Sequence, residues 1–202
     1  SPPPAETAVS ADLVIKYKDG VERQQLVLHI QDSGGQEVFL SILDLLHAPK
    51  ASVSMLVFNL VSLQDAATRE KTLRELRTQL NSFAVHATSS PLILVGTRKD
   101  EAIKKGGTAE LTRLSRDLWE SLTSSSSPVR GNVVHNGDLC YFPVENSRGF
   151  SGDETIQQLV HAIEQAASKL PSLKQRVPAG WLDVYDRLSA SAASQQRTSL
   201  ER

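Results

Sequence analysis

Three continuous apolar runs limit this sequence to few folds. They are VSMLVFNL (53–60), PLILVGT (91–97) and LCYFPV (139–144). Short uninterrupted runs of this kind are typical of strands that are buried on both faces of a parallel sheet. Apolar residues recur at helical spacing between and after these runs. The pattern therefore predicts an α/β fold, with a mostly parallel sheet and helices on both of its faces.

Helices and a hairpin complete this prediction. Apolar side chains recur every three or four residues in three segments, which are 65–84, 108–122 and 153–170. Ahead of them, LVIKYKDGVERQQLVLHI (13–30) predicts an antiparallel hairpin at one edge of the sheet, because Asp19-Gly20 is a strong turn dipeptide.

Changes in composition predict four regions along the 202 residues. Residues 1–10 are predicted to be a disordered leader, without the features of a signal peptide, and 11–170 to form one domain. The pattern changes after 170, where 171–188 carries prolines and then a short amphipathic stretch. Residues 189–202 are rich in Ser, Ala and Gln, which predicts a disordered tail.

Charge and cysteine usage exclude several classes of partner. Lys and Arg total 22 and Asp and Glu total 23, so no basic field argues for nucleic acid. No apolar run approaches the roughly 20 residues of a membrane-spanning helix. The only cysteine, Cys140, fits a reducing compartment, so a cytoplasmic location is expected. The histidines show no metal-ligand spacing, and no zinc site is predicted.

Polar clusters follow three of the predicted strands. They are DSGGQ (32–36), TRKD (97–100) and ENS (145–147). In an open α/β sheet, ligands bind beyond the carboxyl ends of the strands. We therefore expect these clusters to lie near one another and to form a binding site.

These segments resemble a known family. The hairpin with DSGGQE resembles the second and third strands and the switch II motif of a Ras-type GTPase. VGTRKD resembles the family's guanine-specificity motif, and PVENSRG stands where its third base-contacting loop is found. The closer resemblance is to the Roc domain of the Roco proteins. It covers about 11–188, because 171–188 is similar to the start of a COR domain.

The resemblance implies roles at the phosphate end of the site. Asp32 would hold Mg²⁺, a cation that prefers oxygen ligands. Gly35 would donate its backbone N–H to the γ-phosphate, and Gln36 would orient the attacking water. The alternative for this segment is a glycine pair that only turns the chain after a strand.

The resemblance also implies roles at the base end. Asp100 would accept two hydrogen bonds from guanine, Thr97 would brace the loops, and Arg98 would lie along the base. The backbone N–H of Asn146 would contact guanine O6, and Glu145 takes the place of a smaller residue. The alternatives are a solvated charge cluster that opens a helix and, for the third loop, an ordinary turn.

One part of the family pattern is not found in these residues. The sequence has no Gly-x-x-x-x-Gly-Lys-Ser/Thr loop, whose backbone N–H groups would bind most of the phosphate. A Ras-like P-loop GTPase fold that is incomplete at its N-terminus is therefore expected, and the chain alone is expected to be inactive. Strands 26–30 and 53–58 would then pair directly, take a strand from another chain, or keep unpaired edges.

Two main functions follow from the resemblance. The first is a partial Roc-type domain that binds GTP or GDP with Mg²⁺, hydrolyses GTP and acts as a signalling switch in the intact parent. Its COR segment would couple the bound nucleotide to protein partners and to a homodimer. The alternative is a degenerate, non-catalytic Roc fragment that acts as a protein-interaction or dimerisation module. An unrelated α/β scaffold is a third option.

Overall fold

The computed structural model describes residues 10–19, 22–31, 52–86, 90–122 and 129–171. Its strands are β1 (Ser10–Asp19), β2 (Glu22–Gln31), β3 (Ser54–Asn59), β4 (Leu92–Thr97) and β5 (Phe142–Pro143). Its helices are α1 (Leu60–Gln64), α2 (Ala66–His86), α3 (Lys99–Gly106), α4 (Thr108–Leu122), α5 (Gly149–Gly152) and α6 (Glu154–Ser168). Short 3₁₀ turns lie at Arg130–Asn132 and Asn146–Arg148. The predicted α/β class is confirmed.

Strands β3, β4 and β5 form a parallel sheet with β4 in the centre. Leu56 of β3 lies opposite Leu94, and Val95 of β4 lies opposite Phe142 of β5. The predicted strand 139–144 shortens to two residues in β5, and Pro143 brings no N–H to the ladder. The carboxyl ends of all three strands point in one direction, as the sequence predicted.

The larger apolar core, here called the large cluster, covers one face of this sheet. Helices α2 and α4 provide much of it, and the residues with helical spacing are buried there as predicted. From these two helices and the strands it contains Leu73, Leu76, Leu80, Phe83, Leu111, Leu114, Leu118, Phe58, Leu92 and Leu94. Cys140 is also buried in it, and the thiol pKa is raised by this burial.

A second core, here called the small cluster, covers the opposite face of β4 and β5. Ile93, Val95, Phe142 and Val144 are buried in it. Helix α6 closes this face with partly buried side chains, which are Ile156, Leu159, Ala162 and Ile163. Because alternate residues of a strand point to opposite faces, β4 is buried on both sides.

The prediction that 53–60 is buried on both faces is wrong for β3. Leu56 and Phe58 face the large cluster, whereas Met55 and Val57 are 47% and 56% exposed on the other face. The partly buried side chains of α6 pack against β4 and β5, and the small cluster includes neither Met55 nor Val57. One apolar face of β3 is therefore left open to solvent.

Strands β1 and β2 form a separate antiparallel ladder, which runs from the pair Ser10–Gln31 to the pair Asp19–Glu22. The predicted hairpin is confirmed. Its predicted place at the edge of the parallel sheet is wrong for the described strands, since no described ladder joins β2 to β3. Among the described strands, β2 pairs with β1, and β3 pairs with β4.

The described part of the polar stretch 123–138 is tied to the sheet. Val129 is buried, and the Val134 N–H donates to the Leu92 carbonyl at 2.8 Å. Arg130 lies over the Trp119 ring, 5.2 Å from its centre. This segment therefore extends the packing beside β4.

Some predicted regions lie outside the described residues. These are residues 1–9 of the leader, the 32–36 cluster, the COR-like segment beyond Pro171, and the tail. Among the helices that the structure describes, none is both long and apolar enough to cross a membrane.

Packing over the end of β4 generates a first prediction. A Cβ at Gly96 would lie 2.7 Å from Leu60 Cδ2 and 3.1 Å from Tyr141 Cδ2. Leu60 and Tyr141 are fully buried, so the added Cβ would have to displace side chains of the packed core. We expect Gly96→Ala to lower the free energy of unfolding by about 2 kcal/mol, as overpacking of a core does.

Urea unfolding followed by circular dichroism measures this loss. Gly131→Ala is the matched control, because a Cβ there meets nothing within 4 Å and the φ angle is ordinary. Equal stabilities of the two variants would contradict the packing described here.

Candidate functional site

The site is built where the ends of β4 and β5 meet. The Val144 N–H donates to the Gly96 carbonyl at 2.8 Å, and the Lys99 N–H donates to the Val144 carbonyl at 3.2 Å. These two bonds continue the parallel ladder beyond β5. As a result, the 97–100 cluster and the 145–147 cluster lie side by side.

Thr97 and Arg98 lead the chain out of β4. The Thr97 hydroxyl donates to the Phe58 carbonyl at 3.1 Å, which ties the end of β4 to β3. Arg98 follows in the left-handed region, with φ 61° and ψ 44°. Such backbone is uncommon for a residue with a side chain and tends to occur at functional sites. The Arg98 guanidinium is 58% exposed and pairs only loosely with Glu101, at 3.4 Å.

Asp100 lies in the first turn of α3, where a negative charge suits the helix dipole. Its carboxylate accepts a hydrogen bond from the Lys104 ammonium at 3.0 Å. The pKa of Asp100 is lowered to about 2, mainly by the hydrogen bond to the Glu145 side chain and secondly by the hydrogen bond from Lys104. Asp100 is therefore ionised throughout the neutral pH range.

A buried ion pair joins the 97–100 cluster to the start of α6. The Lys99 ammonium donates to Asp153 Oδ1 and to Thr155 Oγ1, each at 2.8 Å. The Asp153 side chain is 3% exposed and that of Lys99 is 24% exposed. This pair connects the start of α3 to the start of α6, which lie far apart in the sequence.

Asp153 also receives two backbone N–H groups. The Glu145 N–H donates to Oδ2 at 2.7 Å, and the Thr155 N–H donates to Oδ1 at 2.9 Å. Burial alone would raise the pKa of this carboxyl, but the Lys99 ammonium and the two N–H groups outweigh it, and the pKa of Asp153 is lowered. One carboxylate thus holds both polar loops and the N-terminus of α6.

Glu145 is the most constrained side chain of the site. It is 9% exposed, and its Oε1 accepts hydrogen bonds from the Ser147 N–H at 3.0 Å and the Ser147 hydroxyl at 2.6 Å. Its Oε2 is buried and accepts no hydrogen bond from an N–H or hydroxyl group of the described residues. The Glu145 side chain is also hydrogen-bonded to that of Asp100, and a hydrogen bond between two carboxyl groups requires a proton between them.

Asn146 begins the 3₁₀ turn that follows β5 and is exposed. Its carbonyl accepts the Gly149 N–H, which closes the turn. Asn146 is therefore an exposed residue of a turn that the Glu145 side chain caps.

The structure brings together the predicted residues of the base end. They are Thr97, Arg98, Asp100, Glu145 and Asn146, all at the carboxyl ends of β4 and β5. The predicted residues of the phosphate end lie outside the described residues, and these are Asp32, Gly35 and Gln36.

Sequence reasoning missed Lys99, Asp153 and Thr155. A signal for Asp153 existed, because Asp before an apolar helical run is a favoured N-cap residue. Its pairing with Lys99, 54 residues away, leaves no mark in the sequence.

No protein-family model matches this chain, and no curated protein matches it. Among the described residues, no three His, Cys, Asp or Glu side chains are grouped as metal ligands.

The ion pair generates a second prediction. Asp153→Asn removes the partner of Lys99 and turns one accepting oxygen into a donor that faces other donors. We expect a loss of about 3 kcal/mol in the free energy of unfolding, at the low end for a buried pair because Lys99 is partly exposed.

The control and the pH dependence follow from the same geometry. Asp65 caps α2 through Ala67 at an exposed site, so Asp65→Asn keeps the cap and is expected to change stability little.

Because the pKa of Asp153 is lowered, its contribution to stability is present above pH 3.8 and is lost as the pH falls through the pKa of the folded state. Urea titrations of both variants between pH 7 and pH 3 measure this. A difference between Asp153→Asn and wild type that grew in acid would contradict the assignment.

Proposed function

We propose that this chain is part of a Roc-type guanine-nucleotide-binding module. One observation carries the proposal: backbone hydrogen bonds between the ends of β4 and β5 bring the loop with Asp100 beside the loop with Glu145 and Asn146. Two polar loops at neighbouring strand ends suit the recognition of a planar base with several N–H donors. The family resemblance of the same residues supports guanine.

The chemistry of Asp100 selects among bases. A carboxylate accepts the N1–H and one amine hydrogen of guanine together, whereas adenine presents an acceptor at N1. A base that leaves this carboxylate unpaired binds less tightly. A single aspartate therefore discriminates strongly between guanine and adenine. Arg98 leaves the strand beside it with an exposed guanidinium that lies along the base.

The same proposal assigns the phosphate end to residues 32–36. Gly35 donates its N–H to the γ-phosphate, and Gln36 orients the attacking water of GTP hydrolysis. When bound, Mg²⁺ supplies positive charge that neutralises the phosphates, and Asp32 is its ligand in this assignment. In the intact protein, hydrolysis then switches the state that the COR segment transmits to partners.

A specific observation favours a second function, a dimerisation module. Met55 and Val57 are exposed next to one another on β3, and no described strand other than β4 pairs with that strand. An exposed apolar strand face of this kind attracts another chain. A second copy of the chain would cover Met55 and Val57 in a homodimer.

Nucleoside monophosphates test the first function without the need for a phosphate site. We expect wild type to bind GMP more tightly than AMP, with a dissociation constant of order 1 mM, or about −4 kcal/mol. In Asp100→Asn the side-chain amide offers a donor to the 2-oxo group of xanthine. The preference for GMP over XMP is expected to fall by about tenfold or more.

Competition saturation-transfer NMR measures these ratios. Asp138→Asn is the matched control, since this exposed aspartate lies in the turn closed by Asn136 and Leu139. An Asp100→Asn variant that still prefers GMP as strongly as wild type, or a wild type that does not distinguish GMP from AMP, would rule the proposal out.

Sedimentation velocity tests the second function. We expect wild type to dimerise as its concentration rises, and Val57→Lys to remain monomeric because a charge on β3 opposes its burial. Val85→Lys is the matched control, since Val85 is 72% exposed on α2. Dimerisation that is unchanged in Val57→Lys would exclude this face.

A further inference from the structure

The exposed ammonium group of Lys104 is bonded to the carboxylate that the proposed function assigns to the base. Lys104 Nζ donates a hydrogen bond to Asp100 Oδ2 at 3.0 Å. The two residues are four positions apart on α3, the spacing at which an aspartate and a lysine meet on one face of a helix. The principal acceptor of the candidate site is therefore paired with a cation of its own chain.

The Lys104 side chain is free to leave this position. It is 75% exposed, and Asp100 is its one hydrogen-bond partner among the described residues. Lys99 differs in both respects, because its side chain is mostly buried and its ammonium is held by Asp153 and Thr155. Of these two lysines, Lys104 is the one that can exchange its carboxylate for solvent without the loss of a buried contact.

Helix α3 stabilises both charges when this pair separates. Asp100 lies in the first turn of the helix, and Lys104 lies in its last turn. The helix dipole favours a negative charge in the first turn and a positive charge in the last. Separation of the pair therefore leaves both charges in favourable surroundings, and a ligand that binds Asp100 can displace the ammonium.

The Glu145 side chain, which is also hydrogen-bonded to Asp100, cannot leave in the same way. It is buried, and its Oε1 accepts hydrogen bonds from the N–H and the hydroxyl of Ser147. The exchangeable partner of Asp100 among the described residues is therefore Lys104.

We propose that Lys104 is an internal competitor of the base, whose ammonium occupies Asp100 in the free site and leaves when guanine binds. This inference rests on the proposed function. Guanine presents its N1–H and one amine hydrogen to the two oxygens of the carboxylate together, and the ammonium is bonded to one of those oxygens. The positive charge of Lys104 also weakens the attraction between the carboxylate and the N–H groups of the base.

The exposure of this ion pair sets the size and the salt dependence of the effect. An exposed pair at this spacing contributes little free energy, so we expect its removal to change the affinity for guanine by about twofold. Salt screens the same pair, because the Debye length falls from about 10 Å at 0.1 M to about 3 Å at 1 M ionic strength. The competition is therefore expected to fade as the salt concentration rises.

Neutral nucleosides test the competition, because a phosphate group would itself be attracted to Lys104. Lys104→Gln removes the charge and keeps most of the length of the side chain. We expect this variant to bind guanosine about twofold more tightly than wild type at about 0.1 M NaCl. At about 1 M NaCl, we expect the two chains to bind guanosine equally.

Titrations of the 202-residue chain with guanosine and adenosine, followed by saturation-transfer NMR, measure these affinities, and circular dichroism checks that each variant is folded. Lys105→Gln is the matched control. It removes the same charge from the next residue, which is exposed and has no ion-pair partner among the described residues. We expect it to bind guanosine as wild type does. An equal gain in both variants would reflect net charge rather than the contact with Asp100 and would overturn the inference.

The outcomes separate this inference from the function on which it rests. A wild-type chain that favours guanosine over adenosine, with a Lys104→Gln variant that binds guanosine no more tightly, would overturn the role of Lys104 and leave the site at Asp100 standing. A wild-type chain that does not favour guanosine over adenosine would overturn the proposed function and this inference together. A gain confined to Lys104→Gln and to low salt supports both.

Discussion

The burial of β4 on both faces is the constraint on which the rest of the structure depends. Its residues from Leu92 to Val95 face the two clusters alternately, so helices must cover both sides of the sheet. Polar groups have no place along such a strand and are confined to its ends. Near the end of the strand, at Gly96, Leu60 and Tyr141 leave no space for a side chain. The candidate site begins immediately after that point.

The Asp153 carboxylate then holds the loops beyond this strand end in a defined arrangement. Because its carboxylate receives Lys99, Glu145 and Thr155 together, a movement of one polar loop disturbs the other and the start of α6. Buried carboxylates with this many donors are rigid, and their neighbours share that rigidity. The backbone of Glu145 and the side chain of Lys99 are consequently held in fixed positions.

Much of this arrangement was predictable from local patterns. The apolar spacing of α2 and α4 predicted which leucines are buried, since a helix must turn one face toward the sheet. The position of Asp100 and Asn146 followed from their place directly after apolar runs. The open face of β3 was not predictable in this way, because Met55 and Val57 belong to a run that reads the same whether or not a helix covers it.

By itself, the sequence determined the α/β class, the order of strands and helices, and the meeting of the base-end residues at one edge of the sheet. These follow from periodicity and from the common direction of parallel strands, which are local properties. Only the tertiary structure decided that Lys99 pairs with Asp153, that the Glu145 backbone bonds to the same carboxylate, and that Met55 and Val57 of β3 are exposed. Each of these depends on which distant segment packs nearby, and no local pattern records that.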